Sequence, residues 1–522
     1  MKKNLIRLTA MMLALLMLIP CLFACKKDEE DEETGDVVVT TPEGEEESEQ
    51  VKNLPEAQDF GGAEIIILHD VPQHNVQYFS PVEDDGLKSD AVNIAFTNRN
   101  AVVESFYKVK LTIKTTNSVV EDLKAASAAQ TYVADMCYSI AGKSMQLGIP
   151  FGIFTDLNTL ENLKLDASYY DQRIQEEYNI EGKLFCIEGD FTIQDEMRTH
   201  VVGINRTLYE DYGYVEEYGS PYELVRDNKW TIATMLEMSK GRSDYQGNAA
   251  DMTKNSQWSI ITEGVFPYVL YLGSGNKIIE TENGTWTTSY SDQTRVELLE
   301  RILNYCVENI FDNEEVLTAD KISDKLANSQ GVYFADAKSM FANGQTLFRT
   351  STLSDFTSYR DMEDTFGILP VPMWEENQDG GYFSWCSSEA HCPLYITRFG
   401  MNDRLDMVSK VVEGYAYFSK YSGNSAIQTV VEAFYENMTY AKLCRTADDY
   451  AMLEIIFGNK TFDIDYALNI SQTAWRSKQP KINDSYTVTT VITNATNDMT
   501  NPDPNVNRMI KFLSDMNKAY SE

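Results

Sequence analysis

Apolar and polar positions change period several times along the first third of the chain. Glu64-Ile-Ile-Ile-Leu68 is a short continuous apolar run, the pattern of a strand covered on both faces. From Asp90 onward Val92, Ala95, Phe96, Val102, Val103 and Phe106 recur at helical spacing, with Asp90 placed as N-cap. Lys108 to Lys114 then alternates strictly and predicts a strand. Ser118 to Gln130 reads as a second helix and Tyr132 to Tyr138 as a third strand. Strand, helix, strand, helix, strand implies right-handed crossovers, hence a parallel sheet with helices on both faces. Ligands of such sheets sit beyond the carboxyl ends of the strands, which puts Ser139, Ile140, Ala141 and Gly142 at a cleft edge.

The amino terminus has a different pattern. Lys2, Lys3 and Arg7 precede an almost wholly apolar run from Leu8 to Phe23. With Pro20 inside, that run is too short to span a bilayer comfortably and reads as a secretory signal over residues 1–24. Leu22-Phe23-Ala24-Cys25 resembles the bacterial lipobox, with Phe23 standing where a small residue is usual. The resemblance implies that Cys25 is lipidated and becomes the mature amino terminus. Asp28 to Glu49 then hold twelve acidic side chains and no basic one, so residues 25–56 are expected to be an extended, disordered leash. A coil of that length reaches roughly 30 Å, and more when charged. The chain is therefore expected outside the cytoplasm, held to the membrane by a lipid.

Charge and length bound the rest. The leader contributes five positive charges and the leash twelve negative ones, so about −29 of the net −36 belongs to the body. Such a body is repelled by nucleic acid. About 466 residues from Ala57 onward exceed what one core serves, and two lobes are expected. Six cysteines in the body do not make a disulfide scaffold. Cys386 and Cys392 are spaced to pair in an oxidising compartment, whereas Cys137, Cys186, Cys306 and Cys444 read equally well as buried thiols.

Several later segments carry a resemblance. Asp156-Leu-Asn-Thr-Leu160 with Tyr169-Tyr-Asp171, and Glu181-Gly-Lys-Leu-Phe185 with Gly189-Asp190, look like the exit from a first lobe and the approach to a hinge. Asn205 to Gly213, Trp230-Thr231, Phe341 to Phe348 and Phe366 to Pro372 follow in a matching order. That order is similar to the family 1 extracellular solute-binding proteins, the lipoprotein receptors of ABC importers. The resemblance implies an α/β, two-lobed periplasmic-binding-protein-like fold of type II with hinge-crossing strands. Lobe one would comprise 57–160 plus 372–425, and lobe two 161–371 plus 426–522. It also implies a small polar solute, a sugar or oligosaccharide, trapped by hinge closure, with permease subunits as partners.

Sugar rings need aromatic faces and short polar groups, which selects candidates near the expected hinge. Asp190 would accept hydroxyls and Phe191 would be a platform; Glu263 and Phe266 would open a helix aimed at the cleft. Trp385 and Glu389 would line the segment re-entering lobe one, and Ser139 the edge of the first sheet. Arg349 would neutralise Glu263 or meet ligand. Trp230 is expected to pack behind a helix capped by Thr231. Thr493 to Asn507, rich in Asn, Asp and Thr, reads as a loop, and extra segments near 240–260 and 480–505 read as insertions.

Catalysis finds no support in spacing. With 80 acidic residues any pair of carboxylates can be drawn, so a glycosidase pair carries no information. His69, His74, His200 and His391 show no metal-site spacing, and Cys386, His391 and Cys392 make poor zinc geometry. No cofactor and no metal are expected. The remaining alternatives are a surface-anchored glycan hydrolase and a non-transport adhesion module.

Overall fold

The computed structural model describes residues 52–70, 76–82, 90–244, 256–282, 284–318, 336–422, 427–471 and 487–521. The leader, Cys25 and the acidic leash lie outside them, as do 245–255 and 480–486 of the expected insertions. Among the described residues no helix is long and apolar enough to cross a membrane.

Strands β1 (Ala63–Asp70), β2 (Val109–Thr116) and β3 (Met136–Tyr138) run parallel, with β1 in the middle. The connecting helices are Ala91–Tyr107 and Val119–Ala129, N-capped by Asp90 and Ser118 as their sequences require. The third strand is shorter than the expected 132–138. Asp135 takes the Tyr132 hydroxyl, the Ile66 amide and the Arg404 guanidinium on its side chain, so the approach to Met136 is held by that carboxylate as well as by the backbone bond from Asp135 to Ile66 (3.0 Å).

A second sheet follows. It is built from β4 (His200–Asn205) and β5 (Trp258–Thr262), then, after the hairpin β6 (Ile279–Glu282) and β7 (Thr285–Thr288), from β8 (Val316–Thr318), β9 (Thr346–Thr352) and β10 (Phe366–Leu369). Its order is β10-β4-β9-β5-β8, with β5 parallel to β8 and β9 and with β4 antiparallel to both its neighbours. Gly203 in β4 lets the Phe356 ring come so close that a Cβ would lie 2.2 Å from it. The chain then forms β11 (Ser384–Trp385), β12 (Leu394–Ile396), which joins the first sheet antiparallel to β3, and β13 (Lys460–Thr461), which pairs with β11.

Two α/β lobes result, and their connections are bonded to one another. Thr199, at the entrance to β4, bridges Cys386, and β11 beside it pairs with β13. Three chain segments therefore cross side by side between the sheets.

The boundaries differ from those expected. Residues 161–188 belong with the first sheet, because Leu163, Ala167, Tyr169, Tyr170, Leu184 and Ile187 share a core with Ile65, Val103 and Leu394. The last helix, Arg508–Ala519, also returns to the first lobe. Arg398 donates to the Ala519 carbonyl (2.8 Å) and the Tyr520 hydroxyl to that of Phe154 (2.9 Å). Thr493 to Asn507 is not all loop, since a helix runs over Val488–Thr500. Its buried Val488, Val491, Ile492, Ala495 and Met499 keep helical spacing, and that apolar stripe outweighs the weak propensities of Asn, Asp and Thr.

Candidate functional site

Both sheets present the carboxyl ends of parallel strands to the crossing region. On the first, Asp70 ends β1 and Ser139 follows β3. The Ser139 hydroxyl donates to one Asp70 oxygen (2.9 Å), and the other accepts the Val119 amide (2.8 Å). This ties two strand ends to a helix start. Tyr78 lies further along from β1, with the Arg198 guanidinium 5.8 Å above its ring. Arg198 in turn donates to the Ser354 hydroxyl of the second lobe (3.1 Å).

On the second sheet Glu263 follows β5 and Arg349 lies within β9. Arg349 is buried, donates to the Tyr359 hydroxyl (3.0 Å) and forms an ion pair with Asp355. Glu263 feels the same guanidinium. Burial raises its carboxyl above the usual range, Arg349 pulls it back, and Asp355 pushes it up again. At Asp355 burial acts upward too, but the Arg349 charge and the Ser351 hydroxyl overcome it and hold the group low. The sequence therefore paired Glu263 and Arg349 usefully and missed Asp355, the bonded partner.

A third constellation sits within the crossings. Lys460, only 6% exposed, pairs with Asp195, with Glu196 (2.8 Å) and with Asp171 (3.2 Å). Asp195 and Glu196 belong to the short helix Gln194–Met197 on the first crossing, and Lys460 to β13. Glu188, fully buried, has no hydrogen bond on either carboxyl oxygen. Burial and then the charges of Asp195 and Glu196 push its carboxyl well above the usual range. Glu196 is raised well above its usual value as well, by burial and then by Asp195. Asp195 goes the other way, because the Lys460 ammonium outweighs its burial.

A cavity of about 170 Å³ opens beside this cluster, with Asp171, Asp190, Asp195, Glu196, Tyr435 and Lys460 on its walls. An adjoining space of about 400 Å³ shares four of those residues and adds Tyr450, Glu454 and Phe457. Gly189 admits this geometry, since a Cβ there would lie 2.1 Å from the Tyr169 carbonyl oxygen.

The candidates named from sequence fall in different places. Asp190 lines the cavity and pairs with Lys420 (3.2 Å). Phe191 is fully buried against Tyr170 and Tyr415 and offers no open face for a sugar. Phe266 is core, 2% exposed at the start of helix Phe266–Gly273. Trp385 is also core, its ring stacked on His200 (5.0 Å, 3°) and edged by Tyr268 and Tyr466. Glu389 is exposed and Ser139 buried. Trp230 is buried behind its helix, and Thr231 caps it. The six cysteines of the described residues are free thiols, Cys386 and Cys392 among them. Among the described residues no group of three His, Cys, Asp or Glu is arranged to hold a metal. Lys460 and Asp195 were missed because 265 residues separate them; the one local signal is a lysine closely flanked by the apolar Ile455-Ile456-Phe457 and Phe462.

No family model and no curated protein sequence matches the chain. Solved structures do match. Maltose-bound T. maritima MalE3 is 14% identical, over 84% of this chain and 99% of that one, with a TM-score of 0.49. A cyclo/maltodextrin-binding protein complexed with maltotetraose is 11% identical, over 88% and 98%, with a TM-score of 0.49. An ABC substrate-binding protein from Listeria monocytogenes in complex with cycloalternan is 12% identical, over 88% and 99%, with a TM-score of 0.48. These overlaps are loose, and the two-lobed α/β fold stands on the chain's own sheets and crossings.

Proposed function

We propose that this chain is the extracytoplasmic receptor of an ABC importer, anchored through a lipid on Cys25, that captures a sugar or oligosaccharide between its lobes. The observation that carries the reading is the crossing region. Three hydrogen-bonded segments join two α/β sheets, and each sheet turns the carboxyl ends of parallel strands toward them. Such a joint lets two lobes rotate as bodies while a ligand contacting both shifts the population toward the closed form. Ser139, Asp70, Tyr78, Arg198, Asp355 and Glu263 supply hydroxyl, carboxylate, ring and guanidinium groups from both sides, the mixture that sugar hydroxyls require.

Titrating the body with maltodextrins, other oligosaccharides and peptides should raise its melting temperature for one ligand class. At 100 times Kd the gain is about 2.7 kcal/mol. One observation favours a hydrolase instead: Glu263 and Asp355 are carboxyls driven apart in acidity around one arginine, as an acid and a base would be. Cleavage of a glycan polymer, with no ligand shifting the melt, would decide for that reading. The anchor is tested separately. Radiolabelled palmitate should enter the wild-type protein, and Cys25→Ala should release the protein from membranes; a variant that stays membrane-bound removes the anchor.

A further inference from the structure

Beside the crossings the wall chemistry is one-sided. Asp171, Asp190, Asp195 and Glu196 face the smaller cavity, and Glu454 faces the space adjoining it. Among the described residues the only cation lining either space is Lys460, whose ammonium already contacts Asp171, Asp195 and Glu196. The Oδ1 atom of Asp195 is buried and accepts no hydrogen bond, although the residue lines the cavity and is 2% exposed. A buried acceptor left without a donor costs about 1–3 kcal/mol, and a donor-bearing guest would offset that.

A sugar hydroxyl can donate to these carboxylates, but an ammonium brings three donors and the opposite charge, which such walls favour over a neutral guest. The larger space is bounded by Tyr435, Tyr450, Leu453 and Phe457, which suit a short methylene body and, at the rings, a cation. We propose that this paired cavity is a second binding site, for a small aliphatic ammonium compound, beside the strand-end surfaces where a sugar would sit. The ammonium meets Asp195 and also Asp190, which it shares with Lys420, and the carbon chain lies along Tyr435 and Phe457. Its walls come from the first crossing, from helix Val430–Ala433 with the turns after it, and from β13, so the guest bridges segments that must shift when the lobes move. Burial and Asp195 raise the Glu196 carboxyl well above its usual value, and a cation entering beside it opposes that shift and is expected to release a proton.

The site does not depend on the receptor reading, and its test needs no sugar. The probes are putrescine and its neutral analogue 1,4-butanediol, titrated calorimetrically at pH 7 in two buffers of different ionisation enthalpy. Putrescine should bind one to one and release a proton; the diol should bind at least tenfold more weakly. Glu196→Gln should abolish the proton release, and Asp190→Asn, at a partly exposed position that folding tolerates, should weaken putrescine at least fivefold. Equal binding of diol and diamine, an equal response to calcium chloride, or an unchanged affinity in Asp190→Asn would each overturn the site. Failure here leaves the sugar titration untouched.

Discussion

Replacing Lys460 with methionine should cost about 3–5 kcal/mol of stability, the range for removing one partner of a buried ion cluster. The side chain is 6% exposed and is the ammonium shared by Asp171, Asp195 and Glu196. Methionine fills nearly the same space, so the loss is electrostatic rather than a cavity effect. It leaves Asp195 ionised in a site where burial already opposes its charge. Of typical total stabilities of 5–15 kcal/mol this is a large share, and it falls on the crossings rather than on either lobe's core. Urea unfolding gives the number. The double variant Lys460→Met with Asp195→Asn should recover part of the loss, because the pair interacts directly. A single-variant loss below about 1 kcal/mol, with no coupling in the double, would mean the carboxylates are already solvated.

The parts of this molecule legible in sequence are those built from near neighbours. Asp90 and Ser118 announce their helices because a cap acts within one turn, and β1 and β2 appear because a period is a local property. The start of β3 was misjudged because Asp135 joins Tyr132, Ile66 and Arg404, and only the first of these is close in sequence. Trp385 and Phe191 looked like sugar platforms because an aromatic ring near a hinge carries no mark of which side it faces. The fold gives Trp385 to His200 and Phe191 to the first lobe's core. The cluster around Lys460 was invisible for a related reason. Among 80 acidic residues nothing marks Asp171, Asp195 and Glu196 until β13 brings a lysine from the far end of the chain. Asp190 was found because it stands where the chain was expected to cross between lobes, and Gly189 beside it admits the close approach of Tyr169.

Acidification should unsettle the same crossings through two histidines. His200 lies stacked on Trp385, and His391 places Nδ1 3.0 Å from the Ser387 carbonyl; both are fully enclosed. Burial lowers each imidazole from 6.5 to about 4. The unfolded chain takes up its protons as pH falls through 6.5, while the folded one resists until about 4. Their contribution is therefore complete above pH 6.5 and is lost as pH falls from there to 4. At 1.36 kcal/mol per unit this amounts to about 3 kcal/mol for each histidine. Glu188 and Glu196 act with the opposite sign, since carboxyls whose titration the fold raises stabilise it as pH falls. The wild-type curve alone thus mixes two effects, and the difference from a variant isolates one. His391→Asn keeps a donor for the Ser387 carbonyl and cannot titrate; His200→Phe keeps the stack on Trp385. Between pH 6.5 and 4 each variant should lose about 3 kcal/mol less than the wild type, read from urea midpoints across that range. Parallel curves for wild type and both variants would mean that neither ring is shielded from protons in the folded protein, and that the crossings open readily enough to let them in.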